Sequence, residues 1–206
     1  MKTRRNSGTR LARVLKTGTA LGAMIFAGSG LQAQVGGFFG PIQEIGFLQD
    51  AARTDQTEIA LANIAEAKSQ NTTVKEWART QRINHQEDFA QLQPMAQAVG
   101  ISLGTSPGWL NQREINRLQT ASAADFDKEY SRVMLKEQVK CIKRFEKAAS
   151  EIAQQDVKQY ALNSLPALRS QLRQEEDTAS SVGVEKSTIS SILQHLPSED
   201  QGLANR

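Results

Sequence analysis

The chain has 206 residues, 39% of them hydrophobic, 5% aromatic and 23% charged, with 25 Lys+Arg against 22 Asp+Glu for a formal net charge of +3. So few aromatics, together with only 14 Gly and 5 Pro, disfavour a β-sandwich or barrel and favour helices. A single Cys excludes a disulfide framework within the chain, and 2 His leave little for a His-rich metal site.

Lys2, Arg4, Arg5, Arg10, Arg13 and Lys16 open the chain with no acid among them, an apolar run from Thr17 to Gly28 follows, and then comes Gly30-Leu31-Gln32-Ala33. A basic segment, a short apolar segment and a small-residue cleavage site predict a signal peptide over 1–33, cut after Ala33, and a destination in the periplasm or at the outer membrane. The alternative, an uncleaved anchor, needs roughly 20 apolar residues, and this run falls well short. No Cys follows it to carry a lipid. Arg4-Arg5 precedes Asn6-Ser7-Gly8 where a twin-arginine signal wants hydrophobic residues, which weakens that export route without closing it. Cleavage removes 6 of the 25 basic residues and none of the 22 acids, leaving 19 against 22, a formal charge of −3. With no basic patch interleaved with aromatics, nucleic acid is not an expected partner.

Residues 34–42 form a Gly-rich lead-in whose Phe38 and Phe39 are candidates to tuck against the fold. Helical periodicity then runs from Gln43 to Ser69, and Thr73-Val74-Lys75-Glu76 has the spacing of a capping box opening a second helix to about Val99. Gly100 is a natural stop, and Pro94 should kink the last turns. Residues 100–108 read as the longest loop, with a short helix from Trp109 to Gln119 after it. A third long helix spans Ala123 to Ser150 behind a Ser122 cap. A fourth spans Asp156 to Ser180, capped by Asp156 and kinked at Pro166. Four long helices with mostly short connections predict an all-α, ferritin-like, antiparallel up-down-up-down four-helix bundle over 43–180. The polar tail, 181–206, is expected to be disordered; in the alternative, Ile189, Ile192, Leu193 and Leu196 form an amphipathic turn that docks.

Residues three and four apart share a helix face, so each core stripe can be traced along the sequence. The first helix gives Leu48, Ala51, Asp55, Glu58, Ala62, Ala65; the second Ala78, Gln81, His85, Phe89, Leu92, Ala96, Val99. The third gives Met134, Gln138, Cys141, Phe145, Ala148, Ile152, and the fourth Val157, Ala161, Ser164, Leu168, Gln171, Leu172. Glu58, His85, Gln138 and Gln171 occupy places where apolar residues belong. Antiparallel packing would bring them to one level as a buried polar layer. Unpartnered burial costs about 1–3 kcal/mol per group, more for a charged one, so they should bond to one another, to water or to a metal. Three readings stand: a closed layer that fixes helix register, a mononuclear metal or small-ligand site on Glu58 and His85, or a helix phase that leaves one of them in solvent. A ferritin-like di-iron centre needs Glu-x-x-His pairs. Arg82 stands three before His85 and Ile192 three before His195, so no such pair exists.

Phe47-Leu48-Gln49-Asp50-Ala51-Ala52, Glu58-Ile59-Ala60-Leu61, Val74-Lys75-Glu76-Trp77-Ala78 and Asn84-His85, followed by Asp125-Phe126-Asp127-Lys128-Glu129-Tyr130, Met134, Glu137-Gln138, Phe145-Glu146 and Leu165-Pro166-Ala167-Leu168, resemble the domain-of-unknown-function family 4142 over about 44–176. The resemblance implies an exported bacterial protein with a ferritin-like four-helix fold, labelled a predicted outer membrane protein without established activity. It also implies His at the positions of His85, Gln138 and Gln171. This chain keeps the first and carries Gln at the other two, so only Glu58 and His85 carry over toward a metal.

Cys141 reads as a small buried apolar residue, with an exposed thiol able to form an intermolecular disulfide as the alternative. No nucleophile elbow, phosphate loop or metalloprotease motif is present, and Trp77, Trp109 and Tyr160 read as packing residues. The expected protein is a non-enzymatic cell-envelope bundle with a structural, binding or stress-related role, no cofactor, no transmembrane segment after cleavage, and an unidentified envelope partner.

Overall fold

A computed structural model describes residues 40–108 and 111–196. These fall within one compact unit, Gly36–Arg206. The expected signal peptide 1–33, Phe38 and Phe39 of the lead-in, Trp109 and the end of the tail from 197 lie outside the described residues.

Among the described residues there are six helices and no strand: α1 Gly40–Lys68, α2 Thr72–Ala98, α3 Gln112–Thr120, α4 Phe126–Glu151, α5 Gln155–Ser181 and α6 Lys186–Leu193. The four long helices correspond to those predicted. Their caps do not. Asn71, not the Thr73 capping box, opens α2: its Oδ1 accepts from Thr73 N at 2.9 Å and Val74 N at 3.3 Å. At α5 the cap is Gln154, whose side chain accepts from Val157 N at 2.8 Å, and Glu44 Oε1 of α1 in turn accepts from Gln154 N at 3.1 Å. Ser122 lies outside α4, where its hydroxyl accepts from Asp125 N at 3.2 Å. Each cap sits one or more residues from the expected one because only backbone geometry decides which side chain can reach an orphan N–H. Asn71→Ala should cost about 1 kcal/mol, read as a lowered urea midpoint with unchanged m.

Pro94 and Pro166 do not end their helices; α2 and α5 run through both. Both prolines are exposed. Gly100, with φ +76°, ends α2 as predicted, in the left-handed region that suits glycine.

α1 packs chiefly on α2 and α4 chiefly on α5, with α1 also against α4 and α2 against α5. The core falls into two apolar clusters. One gathers Leu61, Ala62, Ala65, Val74, Ala78, Leu118, Phe126, Tyr130 and Met134 from α1 to α4. Lys68 Nζ lies 5.5 Å from the centroid of the Phe126 ring and donates to the carbonyls of Leu118, Gln119 and Ala121 at 3.1, 2.6 and 3.1 Å, closing the C-terminal end of α3. The other cluster centres on Phe47, Leu48, Leu92, Ile142 and Phe145, with Phe47 and Phe145 edge to face at 5.1 Å.

The expectation of a disordered tail fails over the described part of 181–206. α6 forms and buries Ile189, Ile192 and Leu193, with Leu196 beyond it, against α4 and α5. The chain reverses into it through Gly183 at φ +81°. Four apolar side chains on one face were enough to dock a segment whose average composition is polar. No described helix is long and apolar enough to cross a membrane.

Candidate functional site

On α1, Asp55 and Glu58 lie between Ala52 of one apolar cluster and Leu61 of the other; on α2, Gln81 and His85 lie between Ala78 and Leu92. Polar residues therefore interrupt the core where the two clusters meet. Glu58 and Gln138 are 0% exposed, His85 1% and Gln171 8%.

These four residues form two pairs. His85 Nε2 stands 2.7 Å from Glu58 Oε2. Gln138 Nε2 donates to Leu168 O at 2.7 Å and to Gln171 Oε1 at 3.3 Å, joining α4 to α5. The amide pair is a closed helix-to-helix link, with Gln138 Oε1 alone left without a partner. The imidazole pair is larger than the sequence pattern indicated, because the other ring nitrogen, Nδ1, lies 2.9 Å from Asp55 Oδ1. Asp55 is 6% exposed and sits in the traced stripe, one turn before Glu58. A third carboxylate, Asp88, is one turn beyond His85. One ligand-type atom from each of Asp55, His85 and Asp88 falls within 4.8 Å of the others. Arg82 stands three before His85, and the acid, Asp88, stands three after it.

Burial drives the electrostatics. It pushes the Asp55 carboxyl up to about 6, against the opposing hydrogen bond and charge of His85. Asp88 is raised as well, by burial and against the pull of His85. For His85 burial opposes the charge, but Glu58 and Asp55 together outweigh it and hold the imidazole well above its ordinary value. Asp55 Oδ2, both carboxylate oxygens of Glu58 and His85 Nε2 are buried without a hydrogen-bond partner, the close Nε2–Oε2 approach being an ion-pair contact and not an aligned hydrogen bond. Buried orphan oxygens of this kind are rare in folded proteins and mark a place where water or an ion belongs.

A second polar node lies one turn away. Gln81 Nε2 donates to Glu175 Oε1 at 3.0 Å, both buried, and Glu175 Oε2 has no partner. Glu175 lines a small depression with Trp77, Tyr130, Ser131, Met134 and Thr178. Burial, reinforced by the charge of Glu58, raises its carboxyl to about 8 against the hydrogen bond from Gln81. Glu175 lies four residues past Gln171, on the same helix face but beyond Leu172, where the traced stripe ended.

Cys141 is 3% exposed and its thiol is pushed well above the ordinary range by burial, so the exposed, disulfide-forming alternative falls away. Tyr160 packs against Phe47 and Phe145, as a structural residue does.

The family model for a domain of unknown function, DUF4142, matches residues 42–178. This chain belongs to the DUF4142 family. The matched span covers α2, α3 and α4 complete, most of α1 and α5, and every residue of the two polar nodes. No curated protein matches the sequence. Among solved structures, the crystal structure of a DUF305 fragment from Deinococcus radiodurans is similar to this DUF4142 chain with a TM-score of 0.59 and 19% identity, over 68% of this chain and 96% of that one. At that identity the likeness is one of fold.

Proposed function

We propose that this DUF4142 chain is an exported, non-enzymatic binding protein of the cell envelope, a ferritin-like up-down-up-down bundle that holds a small cation in its polar centre. The observation that carries this reading is the charge imbalance of that centre: Asp55, Glu58 and Asp88 surround one imidazole, and Asp55 and Glu58 are buried with one and two carboxylate oxygens lacking a hydrogen-bond partner. Even a fully charged His85 offsets one of three carboxylates. A cation supplies the remainder, because ionised groups are costly to bury unpaired. Export is supported by the basic, apolar and small-residue succession of 1–33, and the bundle topology by four long helices that pair in chain order, α1 on α2 and α4 on α5.

A specific observation favours a second reading, that the layer only fixes helix register: Gln138 links α4 to α5 through Gln171 and the Leu168 carbonyl, and a charged His85 lies within ion-pair distance of both Glu58 and Asp55. Thermal melts against Mg2+, Ca2+, Mn2+, Co2+ and Zn2+, on protein purified without chelator or affinity tag, separate the two. Cation binding predicts that at least one ion raises Tm by several degrees at concentrations far above its Kd. Melts that no ion moves, on protein that also carries no metal as purified, leave the register reading.

A further inference from the structure

We infer that the centre is a mononuclear site for a first-row divalent transition metal, with Asp55, His85 Nδ1 and Asp88 as its protein ligands and Glu58 as the residue that orients the imidazole. This rests on the cation-binding reading and adds the ligand set and the class of ion.

The assignment of roles follows from the two faces of one ring. Glu58 is fully buried and presents Oε2 2.7 Å from His85 Nε2, an ion-pair contact that favours a proton on that nitrogen once an ion displaces the one at Nδ1. A proton held at Nε2 leaves the lone pair of a neutral imidazole at Nδ1, the nitrogen that faces Asp55. A carboxylate behind the distal nitrogen of a metal-binding imidazole sets tautomer and basicity in this way. Glu58, taken from sequence as a candidate ligand, lies on the wrong side of the ring to share an ion with Nδ1.

Spacing agrees with chemistry. Two ligand atoms about 2.1 Å from one ion are separated by about 3 Å at octahedral angles and about 3.4 Å at tetrahedral ones, and Nδ1 and Asp55 Oδ1, joined by a hydrogen bond, are 2.9 Å apart. The third ligand atom, from Asp88, lies within 4.8 Å of an imidazole nitrogen of His85 and of a carboxylate oxygen of Asp55. It must move inward to complete the set, and Asp88 is the partly buried member, on the same α2 face one turn from His85. The orphan Asp55 Oδ2 marks the same spot independently of the spacing. Arg144, a nearby cation, donates to Thr54 Oγ1. An imidazole nitrogen beside two carboxylates suits Zn2+, Co2+ or Mn2+ better than Mg2+ or Ca2+, which take oxygen ligands and keep water.

The test titrates Zn2+ by calorimetry and Co2+ by visible absorption into the purified protein, its Asp88→Asn and Asp55→Asn variants, and Glu58→Gln. Asp88→Asn is the key variant, because its partly exposed position lets the fold survive the change. Expected are one Zn2+ per chain, a Co2+ spectrum with nitrogen-containing coordination, an affinity loss of tenfold or more in either Asp variant, and in Glu58→Gln a 10–100-fold weakening with stoichiometry kept. One Zn2+ per chain with unchanged affinity in both Asp variants overturns the ligand set while cation binding stands. Selective binding of Ca2+ or Mg2+ overturns the ion class. Failure of all five cations to bind overturns this inference and the reading beneath it together.

Discussion

His85→Ala is expected to destabilise the fold by about 3–5 kcal/mol at pH 8, the largest effect of any single polar substitution in this chain. The side chain is 1% exposed and stands 2.9 Å from Asp55 and 2.7 Å from Glu58. Its removal leaves two buried carboxylates facing a cavity with no proton donor or positive charge between them. Relief comes from protonation. Asp55 already holds its proton up to about pH 6 with the imidazole present, and without the lowering influence of His85 it holds it higher still. The loss measured by urea unfolding in metal-free buffer should therefore be smaller at pH 5 than at pH 8. A loss below about 1 kcal/mol at both pH values would mean that the imidazole is not the counter-charge of this cluster.

Glu175→Gln should change the pH dependence of stability more than the stability itself. The sign follows from the raised carboxyl: the folded chain keeps the proton to about pH 8, whereas an unfolded Glu releases it near 4.5. Between those values the native state binds more protons, so the contribution of Glu175 is complete below about pH 4.5 and is lost as pH rises through about 8. The full span is on the order of 5 kcal/mol, an upper bound for a group whose surroundings can relax. Gln keeps the oxygen that accepts from Gln81 Nε2 and removes the titration. Urea midpoints from pH 5 to pH 9 should fall steeply in the parent and less in the variant, which should be the more stable protein at pH 9. Asp55 and His85 are also raised and slope the same way, so the difference between the two curves isolates Glu175. Parallel curves would refute the raised carboxyl.

Helix period alone placed the four long helices within a few residues and put Glu58, His85, Gln138 and Gln171 on buried faces. The stripes also contained Asp55 and Gln81, two of the residues that complete the nodes, although a single-helix view gave no reason to single them out. Asp88 and Glu175 were hidden for a different reason. Each is an ordinary acid at the margin of its stripe, and its importance depends on what the neighbouring helix brings opposite it. The caps at Asn71 and Gln154 were missed because several polar residues near a helix start satisfy the same pattern, and reach decides among them. The docking of α6 stood only as the alternative to a disordered tail, because the average polarity of 181–206 obscures four apolar residues with helical spacing.

The local sequence determined what any isolated segment can express: an all-helical chain, the faces it buries, and the fact that polar groups interrupt those faces. Family membership was legible as well, in short fragments whose order carried more than any one of them. Only the tertiary structure decided pairing, because a hydrogen bond between residues 30 or 94 positions apart, His85 to Asp55 or Gln81 to Glu175, depends on helix rotation and offset that no local pattern encodes. That is why one expected polar layer of four residues became an amide link, an imidazole between carboxylates and a protonated acid beyond it.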